Sequence, residues 1–343
     1  MKKKKVLILG GAGFIGLGIS EFLGKNRDCE ITIADILSPG QRDSDFDQVV
    51  SDHSIKVIQG DFAKSEIFAQ LDNNYDYVYM LASVVGVNRC IEEPHEVIRI
   101  NTALIQNSLE WITDNNIGKV LFSSSSECYA ATTDTFNYPV PTPEKVPLTV
   151  SEIGHPRFTY AVTKMLGESA FLTYGKKYNF PVTIVRYQNI FGPRMGFKHV
   201  IPHLVERFYN NENPFKIYGA NQTRAFCYIT DAAEGTVLAM ENENSDHEIY
   251  HMGSPEEITI EELVKIVGDL MGYSGEYVSA PTYPGSVSRR CPDITKSKEH
   301  LNYSPKVPWK KGLKETVSWY TDFYSSSKQI YSGGFKPPEE LSY

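Results

Sequence analysis

Residues 6–16 read VLILGGAGFIG, an aliphatic run from Val6 to Leu9 that passes straight into Gly10, Gly13 and Gly16 at GxxGxxG spacing. A parallel strand covered on both faces needs continuous apolar residues, and this run supplies them. Gly10 and Gly13 let the backbone turn tightly and bring bare N–H groups up to a pyrophosphate, while Gly16 lets the following helix press on the sheet. Any strand-to-helix turn can use glycines, so the reading depends on the next strand as well. That apolar run, 31–34, ends in Asp35, about 20 residues past the glycines, where a carboxylate accepts hydrogen bonds from an adenosine ribose diol. It would repel a 2′-phosphate, so the two signals together predict NAD rather than NADP. Ile58-Gln59-Gly60-Asp61 closes a third run and offers Asp61 and Phe62 as an edge for the adenine. Phe14 and Ile15 in the glycine turn, and Leu81 and Ala82 after the fourth run, complete the expected cofactor contacts.

Beyond this turn, strand-like runs at 5–9, 30–34, 55–58, 77–81, 118–122 and 182–187 alternate with stretches of helical period, the pattern of a doubly wound parallel sheet. Residues 94–115 carry Val97, Ile100, Asn101, Leu104, Ile105, Leu109 and Ile112 near helical spacing and are expected to cross over the sheet. Past residue 195 the elements shorten and prolines and aromatics increase, which predicts a smaller mixed α/β C-terminal lobe. The expected division is 1–190 for the nucleotide and 191–343 for the substrate, with the chain returning to the first part near 225–252. Residues 133–149 read as a loop inserted after a strand, where α/β proteins place ligand contacts. The tail, 327–343, reads as a surface strap or a partly disordered segment.

A chain of 343 residues, 41% hydrophobic, holds one or two intimately joined domains with a sizeable core. Its formal charge of −8 is spread without blocks apart from the lysines at 2–5, which argues against a nucleic-acid or anionic-membrane surface. Lysines 2–5 before an apolar run imitate a signal peptide, but glycines break the run and no small-residue cleavage site comes after it. No segment reaches the roughly 20 apolar residues of a membrane span. Cys29, Cys90, Cys128, Cys227 and Cys291 are scattered and form no CxxC pair, which suits a reducing cytoplasm and indicates no zinc site. His199 and His203 stand four apart, but Pro202 lies between them and no acid adjoins, so no metal is expected.

The chemistry concentrates in Tyr160-Ala161-Val162-Thr163-Lys164, because a tyrosine and a lysine four apart share a helix face. An ammonium beside a phenol, with the nicotinamide's own positive charge, favours the phenolate and is expected to lower the tyrosine pKa toward neutrality, so that it can take a proton from a sugar hydroxyl. The strand at 119–122 runs into Ser123-Ser124-Ser125-Ser126-Glu127-Cys128-Tyr129, placing hydroxyls and a carboxylate at a sheet's carboxyl edge. A serine there can hydrogen-bond the reacting hydroxyl or ketone, and Glu127 can act as a second acid or base. Taken singly, YxxxK is more often a solvated helix face and the serines more often local caps.

Together, GGAGFIG, Asp35, SSSSECY, YAVTK and the segment Arg186-Tyr187-Gln188-Asn189-Ile190-Phe191-Gly192-Pro193-Arg194 resemble the extended short-chain dehydrogenase family of nucleotide-sugar enzymes over nearly the whole chain. The resemblance implies a Rossmann fold, NAD, a nucleotide-sugar substrate and a homodimer. It places Ser125 on the family's catalytic Ser/Thr position, with Tyr160 as base, Lys164 as its partner and Asn189 near the sugar nucleotide. Ser125-Ser126-Glu127, Pro156-Arg157, GPRM at 192–195, QTRAFCYITD at 222–231 and RRCPDITK at 289–296 look closest to UDP-glucuronate decarboxylases. They add Ser126, Arg157, Arg194, Arg224 and Arg290 as substrate contacts, since a guanidinium binds phosphate oxygens in pairs. Cys128, Ala130 and the segment 83–89 depart from that pattern; Arg89 reads first as a surface arginine at a helix start, and as a contact for a sugar carboxylate or acetamido group only second. A decarboxylase would act through a transient 4-keto sugar. Its opening step also serves 4,6-dehydration and 4-epimerisation, and a net dehydrogenase or a non-catalytic NAD-binding sensor or scaffold uses the same fold.

Overall fold

The computed structural model describes residues 2–38, 40–282 and 286–326. From β1 (Lys4–Leu9) the chain runs through α1 (Phe14–Asn26), β2 (Cys29–Asp35), α2 (Ser44–Asp52), β3 (Lys56–Gln59), β4 (Asn74–Met80), α3 (Val87–Glu92), α4 (Pro94–Thr113), β5 (Asn116–Ser125), α5 (Thr132–Phe136), α6 (Thr159–Tyr178) and β6 (Val182–Tyr187). Shorter elements come next: β7 (Ile190–Phe191), α7 (Val200–Tyr209), β8 (Phe215–Tyr218), β9 (Thr223–Ala225), β10 (Cys227–Tyr228), α8 (Ile229–Glu241), β11 (Glu248–Met252), β12 (Glu257–Thr259), α9 (Ile260–Leu270), β13 (Tyr277–Ala280), β14 (Arg289–Arg290), α10 (Thr295–Leu301) and α11 (Trp309–Ser326).

The pleat of the first strand explains the layers. Val6 and Ile8 join Leu17, Leu23, Phe46 and Val237 in one core, while Leu7 and Leu9 join Leu104, Leu109 and Phe171 in another. Alternate side chains of a strand point to opposite faces, so an unbroken aliphatic run is consistent only with helices on both sides. The same division continues through Leu121 against Val120 and Phe122, and through Val185 against Ile184. The seven strands are parallel in the order β11-β6-β5-β4-β1-β2-β3. The order reverses between β1 and β4, which opens a crevice at the carboxyl ends of the strands.

Helix α4 begins at Pro94, where a missing N–H costs nothing, and turns Val97, Asn101, Leu104, Ile105, Leu109 and Ile112 inward. The chain comes back to the sheet from beyond residue 195, because α8 packs on α1 and β11 pairs with β6. A separate core, including Phe191, Leu204, Phe208, Phe215, Val264, Trp309 and Tyr320, holds the smaller lobe. The segment 133–149 opens in α5 rather than in pure loop, and Thr142 bridges to Pro292 beside β14. The tail at 327–343 lies outside the described residues. Among the described residues, no helix is long and apolar enough to cross a membrane.

Candidate active site

Gly10 has a φ of +84°, and a Cβ added there would stand 2.5 Å from the Ala82 nitrogen. Only glycine therefore lets β1 turn beside the end of β4. A Cβ on Gly16 would meet the Gly10 carbonyl, also at 2.5 Å, and Gly13 begins α1 without any side-chain cap. The first N–H groups of α1, at the positive end of its dipole, are thus left for an anion. Asp35 is buried at the end of β2, with Oδ2 accepting from the Ala12 N–H and Oδ1 from the Leu37 N–H, both at 3.0 Å. Burial raises its pKa against those N–H groups. Its remaining lone pairs suit two ribose hydroxyls, so a cradle that a Cβ would fill, an uncapped helix start and this carboxylate fit NAD.

The other expected cofactor contacts differ in kind. Leu81 and Ala82 donate their N–H groups to the Leu9 carbonyl, each at 2.9 Å, which fixes the crevice floor. Asp61 accepts from the Ala63 N–H at 3.1 Å and shapes its own turn. The Phe62 ring is buried in the core under α4, edge-on to Phe68 at 5.1 Å, where its apolar surface leaves water. Ile15 packs on the core of the large lobe and Phe14 on that of the small one.

At the end of β5, the Ser125 hydroxyl accepts from the Glu127 N–H at 3.2 Å and is hydrogen-bonded to the Tyr160 side chain. The first turns of α6 bring Tyr160 and Lys164 to the same face, with Lys164 Nζ 5.7 Å from the Tyr160 ring centroid. Lys164 donates to the Ser123 carbonyl at 2.7 Å and to its hydroxyl at 3.3 Å. Burial lowers Lys164 to about 8, opposed by Cys128 and Glu168. Burial also pushes Tyr160 above the usual phenol range, against the Ser125 hydrogen bond. The expected lowering of the tyrosine is therefore not produced by the protein's own groups: desolvation outweighs the Ser125 hydrogen bond, and the hydrogen bonds of Lys164 go to Ser123.

Glu127 faces the same space from the turn after Ser125. Its Oε1 accepts from Arg290 at 2.5 Å, and its Oε2 lies 3.9 Å from Arg157. Burial pushes Glu127 up, but Arg290, Arg157 and Arg224 outweigh it and hold the carboxyl below its ordinary value. Burial, with Arg290 and Arg157 as like charges, lowers Arg224 to about 10. Arg290 also reaches the Ser126 hydroxyl at 3.4 Å, and the buried Arg157 Nε has no hydrogen-bond partner. Arg290 and Arg157 thus flank one carboxylate, and the charge of Arg224 acts on it while its hydrogen bonds go to the Thr223 carbonyl, Gln222 and Ser286. The arrangement leaves a positive excess beside Ser125 and Tyr160, suited to an anionic ligand.

Two of the expected contacts point elsewhere. Arg194 is not part of this cluster, because its Nε donates to Asp43 at 2.6 Å and its terminal nitrogen to the Gln41 carbonyl at 2.8 Å. Arg89 is half exposed and pairs with Glu93 one helical turn on, at 2.8 Å. Asn189, with a φ of +44°, donates from Nδ2 to the Ala225 carbonyl at 3.0 Å and ties the end of β6 to β9. His199 stands exposed before α7. Among the described residues, no three histidines, cysteines or acids gather as metal ligands.

Supporting residues went unread in the sequence. Asn101 grips both backbone groups of Val84 at 2.7 and 3.1 Å and donates to Thr163 at 3.1 Å, so the loop after β4 is pinned to α6. A polar residue on the inward stripe of α4 was the available signal. Glu168 and Arg186 form a buried two-bond pair, both bonds 2.7 Å, and Ser124 donates to Glu168 at 2.5 Å.

The sequence profile of the NAD dependent epimerase/dehydratase family matches residues 6–253. The chain is 34% identical over 330 residues to a UDP-N-acetyl-alpha-D-glucosaminuronate decarboxylase of Bacillus cytotoxicus, covering 93% of this chain and 98% of that protein. Among solved structures, DesIV, a dTDP-glucose 4,6-dehydratase of Streptomyces venezuelae with NAD and TYD bound, superposes with a TM-score of 0.82 at 25% identity, covering 94% and 98% of the two chains. A UDP-N-acetylglucosamine 4-epimerase of Methanobrevibacter ruminantium in complex with UDP-N-acetylmuramic acid superposes with a TM-score of 0.80 at 26% identity, covering 94% and 100%.

Proposed function

Because the chain belongs to the NAD dependent epimerase/dehydratase family, we propose that it removes carbon dioxide from a nucleotide-linked hexuronate through a transient 4-keto sugar. It is an NAD-dependent enzyme of nucleotide-sugar modification, and the observation that carries the decarboxylase reading is Glu127 held between Arg290 and Arg157 beside Ser125 and Tyr160. The Bacillus cytotoxicus relative supports a UDP-linked 2-acetamido hexuronate within that class.

In its phenolate form, which the positive nicotinamide of bound NAD would favour against burial, Tyr160 takes the proton of the C4 hydroxyl, Ser125 shares the developing charge, and Lys164 offsets it from one turn away. Bound NAD supplies the hydride acceptor at C4 and returns the hydride, so the reaction is redox-neutral overall. A ketone at C4 makes the C6 carboxylate a β-keto acid, and the C5–C6 bonding electrons pass into an enolate as carbon dioxide leaves. Glu127, ionised at neutral pH, can guide a proton toward C5 but brings none of its own. Arg157 and Arg224 meet the substrate's anionic groups.

NAD is assigned to residues 1–190 with the returning 225–252, and the nucleotide-sugar substrate to the interleaved lobe 191–343. Exposed Ile98 on α4 and Leu166 on α6 support a homodimer through those helices, and five free cysteines support a cytoplasmic protein. Four-epimerisation shares the first step, and the likeness to the Methanobrevibacter ruminantium 4-epimerase makes it the second reading. A mass spectrum of products from a panel of UDP-, GDP-, CDP- and dTDP-linked hexoses and hexuronates separates them. Loss of carbon dioxide from a hexuronate supports decarboxylation. Loss of water from a hexose, or an epimer of unchanged mass, replaces that reading.

A further inference from the structure

We propose that Arg194 is a positioning residue that clasps the adenosine side of the crevice and slows the release of NAD. The segment leaving Asp35, the ribose-facing acid, leads to Gln41 and Asp43 and then into α2. Arg194 belongs to the other lobe, in the turn after β7, yet its guanidinium crosses to this segment and bonds the Asp43 carboxylate at 2.6 Å and the Gln41 carbonyl at 2.8 Å. Its side chain is only 10% exposed, and its φ of +65° is a conformation that residues with a Cβ rarely adopt. Asp43 divides its oxygens: Oδ1 caps α2 through the Phe46 N–H at 2.9 Å, and Oδ2 takes the arginine.

A second link closes the ring. Trp319 of α11 donates to Asp45 in the first turn of α2 at 3.0 Å, and the adjacent Tyr320 donates to the carbonyl of Met195. The turn after β7, the start of α2 and α11 therefore hold one another, and none of these groups touches Ser125, Tyr160 or Glu127. Opening the segment beside Asp35 requires breaking a largely buried ion pair between lobes. An enzyme that oxidises and then reduces the same sugar must keep its cofactor between the two half-reactions, and a clasp at this place serves that need.

The test uses the full chain loaded with NAD and needs no sugar, so it stands apart from the reaction proposed above. NAD dissociation is followed after mixing with excess unlabelled NAD for the wild type, Arg194→Ala, Asp43→Asn and the double variant. Asparagine caps a helix as well as aspartate does, so Asp43→Asn removes the charge and keeps α2. Each single change is expected to speed release ~10-fold, with the double no faster than either single and Arg194→Lys in between. If Arg194→Ala does not fold, Asp43→Asn and Trp319→Phe carry the measurement. Release within about twofold of wild type in the folded variants overturns the proposal, as does a raised KM for nucleotide sugar with unchanged NAD release.

Discussion

Lys164 is buried and Tyr160 partly buried beside it although desolvation penalises each charged form, and this conflict yields two predictions. Tyr160→Phe keeps the fold but loses the hydroxyl that accepts the C4 proton, and turnover is expected to fall ~10²- to 10⁴-fold with an unaltered melting temperature. Activity near wild type would contradict the assignment. Lys164 titrates near 8 when folded against 10.5 when unfolded, so the unfolded chain binds more protons between those values. Its burial lowers stability most below about 8, and that penalty fades as pH rises to 10.5. Urea unfolding of wild type and Lys164→Met should show the wild type gaining relative stability across that window, and a constant difference would refute this role of burial. Tyr160 and Lys164 were readable as a pair because one helical turn sets their relation, whereas Ser125, on a strand end 35 residues earlier, was placed with them by the family resemblance. The pairing of Arg194 was not readable: its partners at 41 and 43 are chosen by how the lobes close, which motif spacing does not encode.

Between elements, β6 and α6 are joined by the Arg186–Glu168 pair, which Ser124 of β5 extends. Both partners are almost wholly buried. Arg186→Met would strand an unpaired carboxylate, and a loss of about 3–5 kcal/mol in denaturant unfolding is expected. Adding Glu168→Leu should recover part of it, whereas a larger loss would show that the pair matters through its shape rather than its charge. The large sheet was readable because its core strands alternate between two covered faces. Strand β11 was harder, since Glu248-Ile249-Tyr250-His251-Met252 mixes polar and aromatic residues and takes its place only after a detour through the small lobe. Phe62, read beside Asp61 as a cofactor contact, turns its ring into the core under α4, a packing that motif spacing does not encode.

For the whole molecule, the nucleotide lobe supplies the glycine turn, Asp35, Ser125 and Tyr160, while Arg224 and Arg290 arrive from β9 and β14. On the proposed reading the chemistry takes place where the lobes meet, around one carboxylate flanked by arginines. The motifs made the family legible, and in the proposed mechanism the outcome after a 4-keto sugar turns on Glu127 and the arginines beside it. The decisive experiment supplies a UDP-linked hexuronate, with and without a 2-acetamido group, labelled with ¹³C at C6, and follows the label by NMR. The label is expected to leave the sugar as carbon dioxide and bicarbonate, with a pentose nucleotide formed in equal amount and no free NADH accumulating. Label retained at C6 in a sugar changed only at C4 would contradict decarboxylation and make the protein an epimerase.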